Sequence, residues 1–284
     1  MTDEPIIGFD QPTHIPPAAA TRHVWGDAVA GQVADLTFVS TNKITQLIFS
    51  LGPGGVIRHS DDFKTIFAAD EVYYVLSGML VLNNPQTGEV HRVQPGEAVF
   101  FRRDTWHHGF NYSGDALRVL EFFAPPPAQG TGAAYARQQP DLTDFRYSQD
   151  EWLGRWPAGQ AEARQAHTIR VVRDADLLWR LEGRTRQTLV GLLASTEHLT
   201  VGKVYLLPGK QGEMHAHAGD EALYVLEGNP SLTCPAGGGQ RWHELSPGDG
   251  FYLPEGVPHQ YGNYSSRPAC LIFGVAPLYP APEP

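Results

Sequence analysis

The reading of this chain turns on Glu71-Val72-Tyr73-Tyr74-Val75-Leu76-Ser77-Gly78 and its counterpart Glu221-Ala222-Leu223-Tyr224-Val225-Leu226-Glu227-Gly228. Each is an acid, a short apolar run rich in Val, Leu and Tyr, and a closing Gly, which is the signature of a buried strand ending in a turn. The second copy follows the first by 150 residues. Further along, Val93-Gln94-Pro95-Gly96-Glu97 is matched by Leu245-Ser246-Pro247-Gly248-Asp249, and Thr105-Trp106-His107-His108-Gly109-Phe110-Asn111 by Val257-Pro258-His259-Gln260-Tyr261-Gly262-Asn263, now 152 residues apart. Anchors at so nearly constant an offset make the chain two copies of one β unit.

The rest of the sequence agrees. Stretches 46–51, 117–123, 200–207 and 270–275 are short, apolar and bounded by turn residues, and Gly 30 with Pro 23 in 284 residues suits many strands and turns. Segments 150–156 and 174–180 read as short helices, with Arg180 to Gly183 closing the second. The Pro-rich stretch from 124 to 139 reads as a surface crossing. Hydrophobic residues are 42% and charged residues only 18%, so the chain can bury a core and is not disordered overall. A formal net charge of −10 argues against nucleic acid and anionic membrane surfaces as partners. No apolar run approaches membrane-spanning length, and residues 1–10 carry acids where a secretory signal needs bases. With only Cys234 and Cys270, neither a disulfide framework nor a cysteine zinc site is available. The expectation is a cytoplasmic protein.

At the repeat the chain resembles the cupin superfamily, specifically a bicupin. One motif of that family runs Gly, five residues, His-x-His, three or four residues, Glu, six residues, Gly; here these are Gly209, His215, His217, Glu221 and Gly228. The other runs Gly, five residues, Pro-x-Gly, two residues, His, three residues, Asn; here Gly248, Pro254, Gly256, His259 and Asn263. The first half keeps Glu71, Gly78, Gly96, His107 and Asn111. It has Arg102 and Asp104 in place of the second motif's Pro and Gly, and His59 as its one candidate from the His pair. The resemblance implies an all-β chain of two tandem double-stranded β-helix (jelly-roll) barrels with a few short helices. We divide it into an arm (1–40), a first barrel (41–124), a linker with short helices and a leading strand (125–190) and a second barrel (191–284). The resemblance also implies a metal in at least one barrel, and it leaves the reaction open.

The residues themselves point the same way. His215 and His217, two apart on a strand, face one side. Glu221 opens the next strand with Leu223 and Val225 on its face, and His259 begins another with Tyr261 and Asn263. Three imidazoles and a carboxylate inside a barrel are costly unless they bind a cation. A mixed nitrogen and oxygen shell suits Fe, Mn, Ni, Cu or Zn, with Fe the first choice. His59, Glu71 and His107 form a second, two-histidine-one-carboxylate candidate; the alternative is a barrel whose interior polar groups bond one another.

Tyr73, on the face of Glu71, and Tyr261, on the face of His259, are candidate catalytic acids or simply core tyrosines with satisfied hydroxyls. Lys64 lies in a possible lid at 61–70. Arg102 and Arg103 could grip a substrate carboxylate or be charged loop residues. His108 should face away from His107. The leading functional expectation is a metal-dependent dioxygenase acting on a small organic substrate. The alternatives are a non-oxidative metal enzyme (isomerase, lyase, decarboxylase or hydrolase) and a non-catalytic binding module. A homodimer is expected by analogy, with stretches 15–25 and 276–284 packing across a partner barrel.

Overall fold

The computed structural model describes residues 9–125, 132–236 and 239–279. Residues 1–8, 126–131, 237–238 and 280–284, the last including most of stretch 276–284, lie outside these. The first half comprises β1 (Thr13–Ile15), β2 (Thr21–Trp25), β3 (Val33–Ser40), β4 (Thr45–Leu51), β5 (Val56–Ile57), β6 (Asp70–Ser77), β7 (Leu80–Asn83), β8 (Val90–Val93), β9 (Ala98–Phe101), β10 (His108–Asn111) and β11 (Leu117–Ala124). Helices α1 (Gly132–Gln138) and α2 (Gln160–Ala166), with a single 3-10 turn at Asp150–Trp152, connect it to the second half. That half repeats the pattern: β12 (Ile169–Val172), β13 (Leu178–Glu182), β14 (Thr188–Ser195), β15 (Thr200–Leu206), β16 (Lys210–Gln211), β17 (Ala218–Glu227), β18 (Ser231–Ala236), β19 (Gly239–Glu244), β20 (Gly250–Leu253), β21 (Gln260–Asn263) and β22 (Ala269–Leu278).

Each half is a seven-stranded sheet facing a four-stranded one. The large sheets run β12-β9-β6-β11-β4-β3-β2 and β1-β20-β17-β22-β15-β14-β13; the small ones run β5-β10-β7-β8 and β16-β21-β18-β19. The described pairings are antiparallel, as expected for barrels closed by hairpins and longer returns.

The leading strand of each half belongs to the other half's sheet. β1 pairs with β20, Thr13 opposite Tyr252, and β12 pairs with β9, Ile169 opposite Phe101. The proposed arm is therefore not an appendage. Its β1 edges the second barrel, and its β2 and β3 complete the sheet of the first. Within stretch 15–25, Ile15 pairs with Gly250 and Thr21–Trp25 with β3 of the same chain. Residues 178–182 are a further correction. They form an edge strand paired with β14, not a helix, and Gly183 (φ +77°) turns the hairpin; the helical signal shrinks to a 3-10 turn at Asp174–Asp176.

The central strands are buried on both faces, which is why β6 and β17 read as apolar runs without alternation. Tyr73 and Val75 fill the first barrel, and Leu223 and Val225 the second. Val72, Tyr74, Ala222 and Tyr224 point the opposite way into a core between the barrels, with Phe38, Phe122 and Ile272. Phe38 meets Tyr224 edge-on at 5.7 Å. Paired polar contacts cross the same junction. Thr196 donates to Asp70 and Thr41 to Asp220, residues 150 apart in the repeat. Arg102 bridges Asp70 and Glu197, so it is committed between the halves and not offered to a substrate. Arg103 pairs with neighbouring Asp104.

Candidate metal centre

In the second barrel the four predicted ligands converge. His215 and His259 are tied backbone to backbone: the His215 N–H donates to the His259 carbonyl at 2.9 Å and the reverse bond is 2.7 Å. His217 enters β17, and Glu221 lies on it opposite Leu253 of β20 and Val275 of β22. The candidate ligand atoms of the three histidines lie within 4.8 Å of one another. Glu221 Oε2 is 3.0 Å from His259 Nε2 and 3.7 Å from His217 Nε2.

The tautomers are set from behind. His215 Nδ1 faces the Glu213 carbonyl at 3.0 Å, His217 Nδ1 the Tyr279 carbonyl at 2.6 Å and His259 Nδ1 the Val257 carbonyl at 3.0 Å. A carbonyl only accepts, so each Nδ1 carries a proton and each Nε2 faces inward. Glu221 and His259 are 1% exposed, and neither Glu221 Oε2 nor His259 Nε2 finds a hydrogen-bond donor. A carboxylate and three imidazoles gathered in one buried space are what a divalent metal satisfies, and carbonyl-backed imidazoles are how proteins orient such ligands. Burial lowers His215 to about 4, so it is a neutral ligand at pH 7. Burial raises Glu221, but the neighbouring His259 and His217 and the Tyr261 hydroxyl outweigh it and hold the carboxyl at about 2.

Tyr261 donates its hydroxyl to Glu221 Oε1 at 2.5 Å. Burial and the Glu221 charge push this phenol well above its ordinary value of 10. The hydroxyl therefore stays protonated at neutral pH and is held on Glu221. Tyr279 was invisible to motif reading because it lies at the far end of β22, 62 residues from His217. Its ring stacks on His217 at 4.7 Å and on Phe273 at 5.2 Å, and its hydroxyl donates to Glu182.

The first barrel is built differently. The His107 N–H bonds the Thr65 carbonyl, as the His259 N–H bonds that of His215. The Asp104 N–H bonds the Phe67 carbonyl, as the Gly256 N–H bonds that of His217. Thr65 and Phe67 therefore stand, at the repeat's offset of 150, where the second barrel has its histidine pair. His59 does not join Glu71 and His107, because six residues too many separate it from the backbone position that faces His107. It packs between Trp106 and Phe145, with Nδ1 2.8 Å from His108 Nε2. Tyr73 replaces Leu223 of the repeat, and its hydroxyl lies 3.1 Å from both Glu71 Oε2 and His107 Nε2. Glu71 also hydrogen-bonds Glu121. A phenol thus sits among the retained acid and histidine, which is the alternative of interior polar groups bonding one another. Burial pushes Glu71 up to about 8 and His107 down to about 4, so both are neutral at pH 7. Lys64 is buried against Asp141 (2.6 Å) and the Gln139 carbonyl, pinning the segment after α1 to this end of the barrel.

Among the described residues no helix is long and apolar enough to cross a membrane. The chain is 30% identical over 102 residues to the tetracenomycin polyketide synthase protein TcmJ of Streptomyces glaucescens, a match covering 36% of this chain and 66% of that protein, just under two thirds of its length. Among solved structures, a variant of Bacillus subtilis oxalate decarboxylase superposes with a TM-score of 0.61 at 14% identity, over 96% of this chain and 79% of that one. A Pseudomonas aeruginosa protein described as glyoxylate-induced gives 0.66 at 17%, over 97% and 92%. At these identities the two structures show a shared fold. The decarboxylase is described with Mn(II) centres. The family model for the cupin domain matches twice, over residues 51–123 and 202–275, once in each barrel, and the chain belongs to that family as a bicupin.

Proposed function

We propose that the chain is a metal-dependent enzyme whose second barrel holds one divalent transition metal, iron by first choice, on His215, His217, Glu221 and His259. Its reaction is proposed to be a dioxygenation of a small organic substrate that binds through adjacent oxygens. The carrying observation is a pairing of two facts. Three imidazoles gather in one buried space with the Glu221 carboxylate against two of them, and the phenol beside them is held on Glu221. When bound, the ion supplies Lewis acidity, a one-electron redox couple and coordination positions beyond its four protein ligands. Lyase or isomerase chemistry calls for a protein group that moves protons beside the metal. Tyr261, the group nominated for that work, is committed to holding a ligand. Oxidative cleavage of an electron-rich enolate or catecholate makes less demand of that kind, which favours the oxygenase.

The protein's own part is to bind and to exclude water. His215 is the half-buried ligand and Met214 beside it is exposed, so a substrate enters past these two. Leu223, Val225 and Phe251 give an apolar barrel interior that suits an aromatic or enolic molecule. The relative from Streptomyces is named for a polyketide synthase, and polyketides carry 1,3-related oxygens of this kind.

The test is metal content by mass spectrometry on wild type and His259→Ala, followed by oxygen uptake with catechols and β-diketones. Oxygen consumption by the iron-loaded protein, absent in His259→Ala, supports the reading. Turnover that proceeds equally without oxygen replaces it with the non-oxidative class. No metal at His215, His217, Glu221 and His259 after reconstitution overturns it.

A further inference from the structure

A second cluster lies on the first half, outside both barrel interiors. Glu89, just before β8, His91 within it, and His167, at the end of α2, bring one carboxylate oxygen and two imidazole nitrogens within 4.8 Å of one another. His91 Nε2 is 3.3 Å from Glu89 Oε2, and His167 Nδ1 is 4.0 Å from the same oxygen. The two rings meet edge to face at 4.8 Å. The Glu89 side chain is fully buried, while those of His91 and His167 are 11% and 15% exposed. The site is therefore closed on the protein side and open at its rim.

The surrounding bonds set the orientation. Thr168 donates its N–H to both Glu89 oxygens, at 2.9 and 3.0 Å, and its hydroxyl to Oε1. That hydroxyl is itself held by the Asn84 amide. His167 Nε2 is 3.0 Å from Gln149 Oε1, an acceptor, so the proton sits on Nε2 and the Nδ1 lone pair faces the carboxylate. Two acceptors facing each other at 4.0 Å make no hydrogen bond. Tetrahedral zinc at roughly 2.0–2.1 Å from its ligands places them about 3.4 Å apart. His91 Nε2 stands at that spacing from Glu89 Oε2, in a hydrogen bond that a bound ion would replace, and His167 Nδ1 stands about 0.6 Å beyond it.

We propose that Glu89 Oε2, His91 Nε2 and His167 Nδ1 form a second metal site, of the zinc class, with solvent at its rim as the remaining ligand. Its ligands come from the β7–β8 hairpin and the α2–β12 junction, and Gln149 adds the preceding segment. The ion therefore fastens the connecting segment to the first barrel and takes no part in the chemistry of the second. This site does not depend on the function proposed above.

The test uses the full chain, stripped of metal and titrated with Zn(II), and with Co(II) as a visible-absorption probe. Wild type is expected to bind two equivalents and the double variant His215→Ala/His259→Ala one, with a tetrahedral Co(II) spectrum and a Zn(II)-dependent rise in Tm. Adding His167→Gln to the double variant should abolish the remaining equivalent and the rise in Tm, and His91→Gln serves as an independent second variant. A wild type that binds one equivalent, lost entirely in the double variant, overturns this proposal and leaves the barrel site intact. A wild type and double variant that each bind one equivalent, lost with His167→Gln, support it while removing the barrel site. Binding by the double variant that survives both His167→Gln and His91→Gln also overturns it.

Discussion

His217 Nδ1 lies 2.6 Å from the carbonyl oxygen of Tyr279, and the Tyr279 ring stacks on the same imidazole. The residue that follows β22 thus orients a candidate ligand contributed by the first motif of the same barrel. A chain ending at Leu278 loses both contacts, whereas a chain ending at Tyr279 keeps them. The shorter chain should bind its barrel metal about 10–100-fold more weakly, the usual effect of removing a group that orients a ligand. Tyr279→Ala, which keeps the carbonyl, should fall between the two. Competition with a chromophoric chelator measures all three.

Tyr261→Phe removes the hydroxyl from Glu221 Oε1 and little else, since the ring remains packed. Metal affinity should drop about tenfold with the fold retained. The pH profile of turnover should keep its shape, because the phenol is a positioning group. A lost limb in that profile would instead make Tyr261 a proton carrier.

Glu71 gives the first barrel a pH dependence of definite sign. Its pKa rises from an ordinary 4.5 to about 8, with burial the leading cause, so the fold prefers the protonated acid. That contribution is full below 4.5 and is lost as pH rises through about 8. His107 works the other way, between 6.5 and about 4, so the two separate above pH 6.5. Unfolding free energy should fall from there to pH 8 by at most about 1.4 kcal/mol per pH unit for one proton. Glu71→Gln, which keeps the shape and cannot ionise, should flatten that slope. Urea unfolding at a series of pH values gives the answer.

Gly250 lies where β20 meets the other half. A Cβ there would stand 2.5 Å from Phe38 Cδ1. Gly250→Ala should destabilise the chain by about 1–3 kcal/mol through overpacking. Phe38→Leu should recover part of that loss, and the non-additivity of the pair in denaturant unfolding would locate the strain at this junction.

The barrels and the four side chains that gather in the second were legible because their motifs are local. His215, His217 and Glu221 fall within seven residues, and glycines mark the turns that aim them. The failures share a physical cause in long-range pairing. Thr13–Ile15 is too short and too polar to announce a strand, and what fixes it is an open edge of β20 more than 230 residues away. Leu178–Glu182 has no alternation because it is an exposed edge, so its Arg and Glu resembled a helix end. His59 was chosen because it is a histidine, whereas backbone pairing gives its supposed place to Thr65. Tyr279 and the Glu89 cluster join residues that only the folded chain makes neighbours.

The reciprocal placement of β1 and β12 means that neither barrel has a complete edge of its own. Such an arrangement is what two identical subunits would form by trading their leading strands. In a pair of identical subunits every substitution appears twice, so both interiors must carry the same side chains. Writing the pair as one polypeptide removes that constraint while the traded strands keep the halves inseparable. One interior can then hold His215, His217, Glu221 and His259 while the other carries Thr65, Phe67 and Tyr73 at positions of the same repeat.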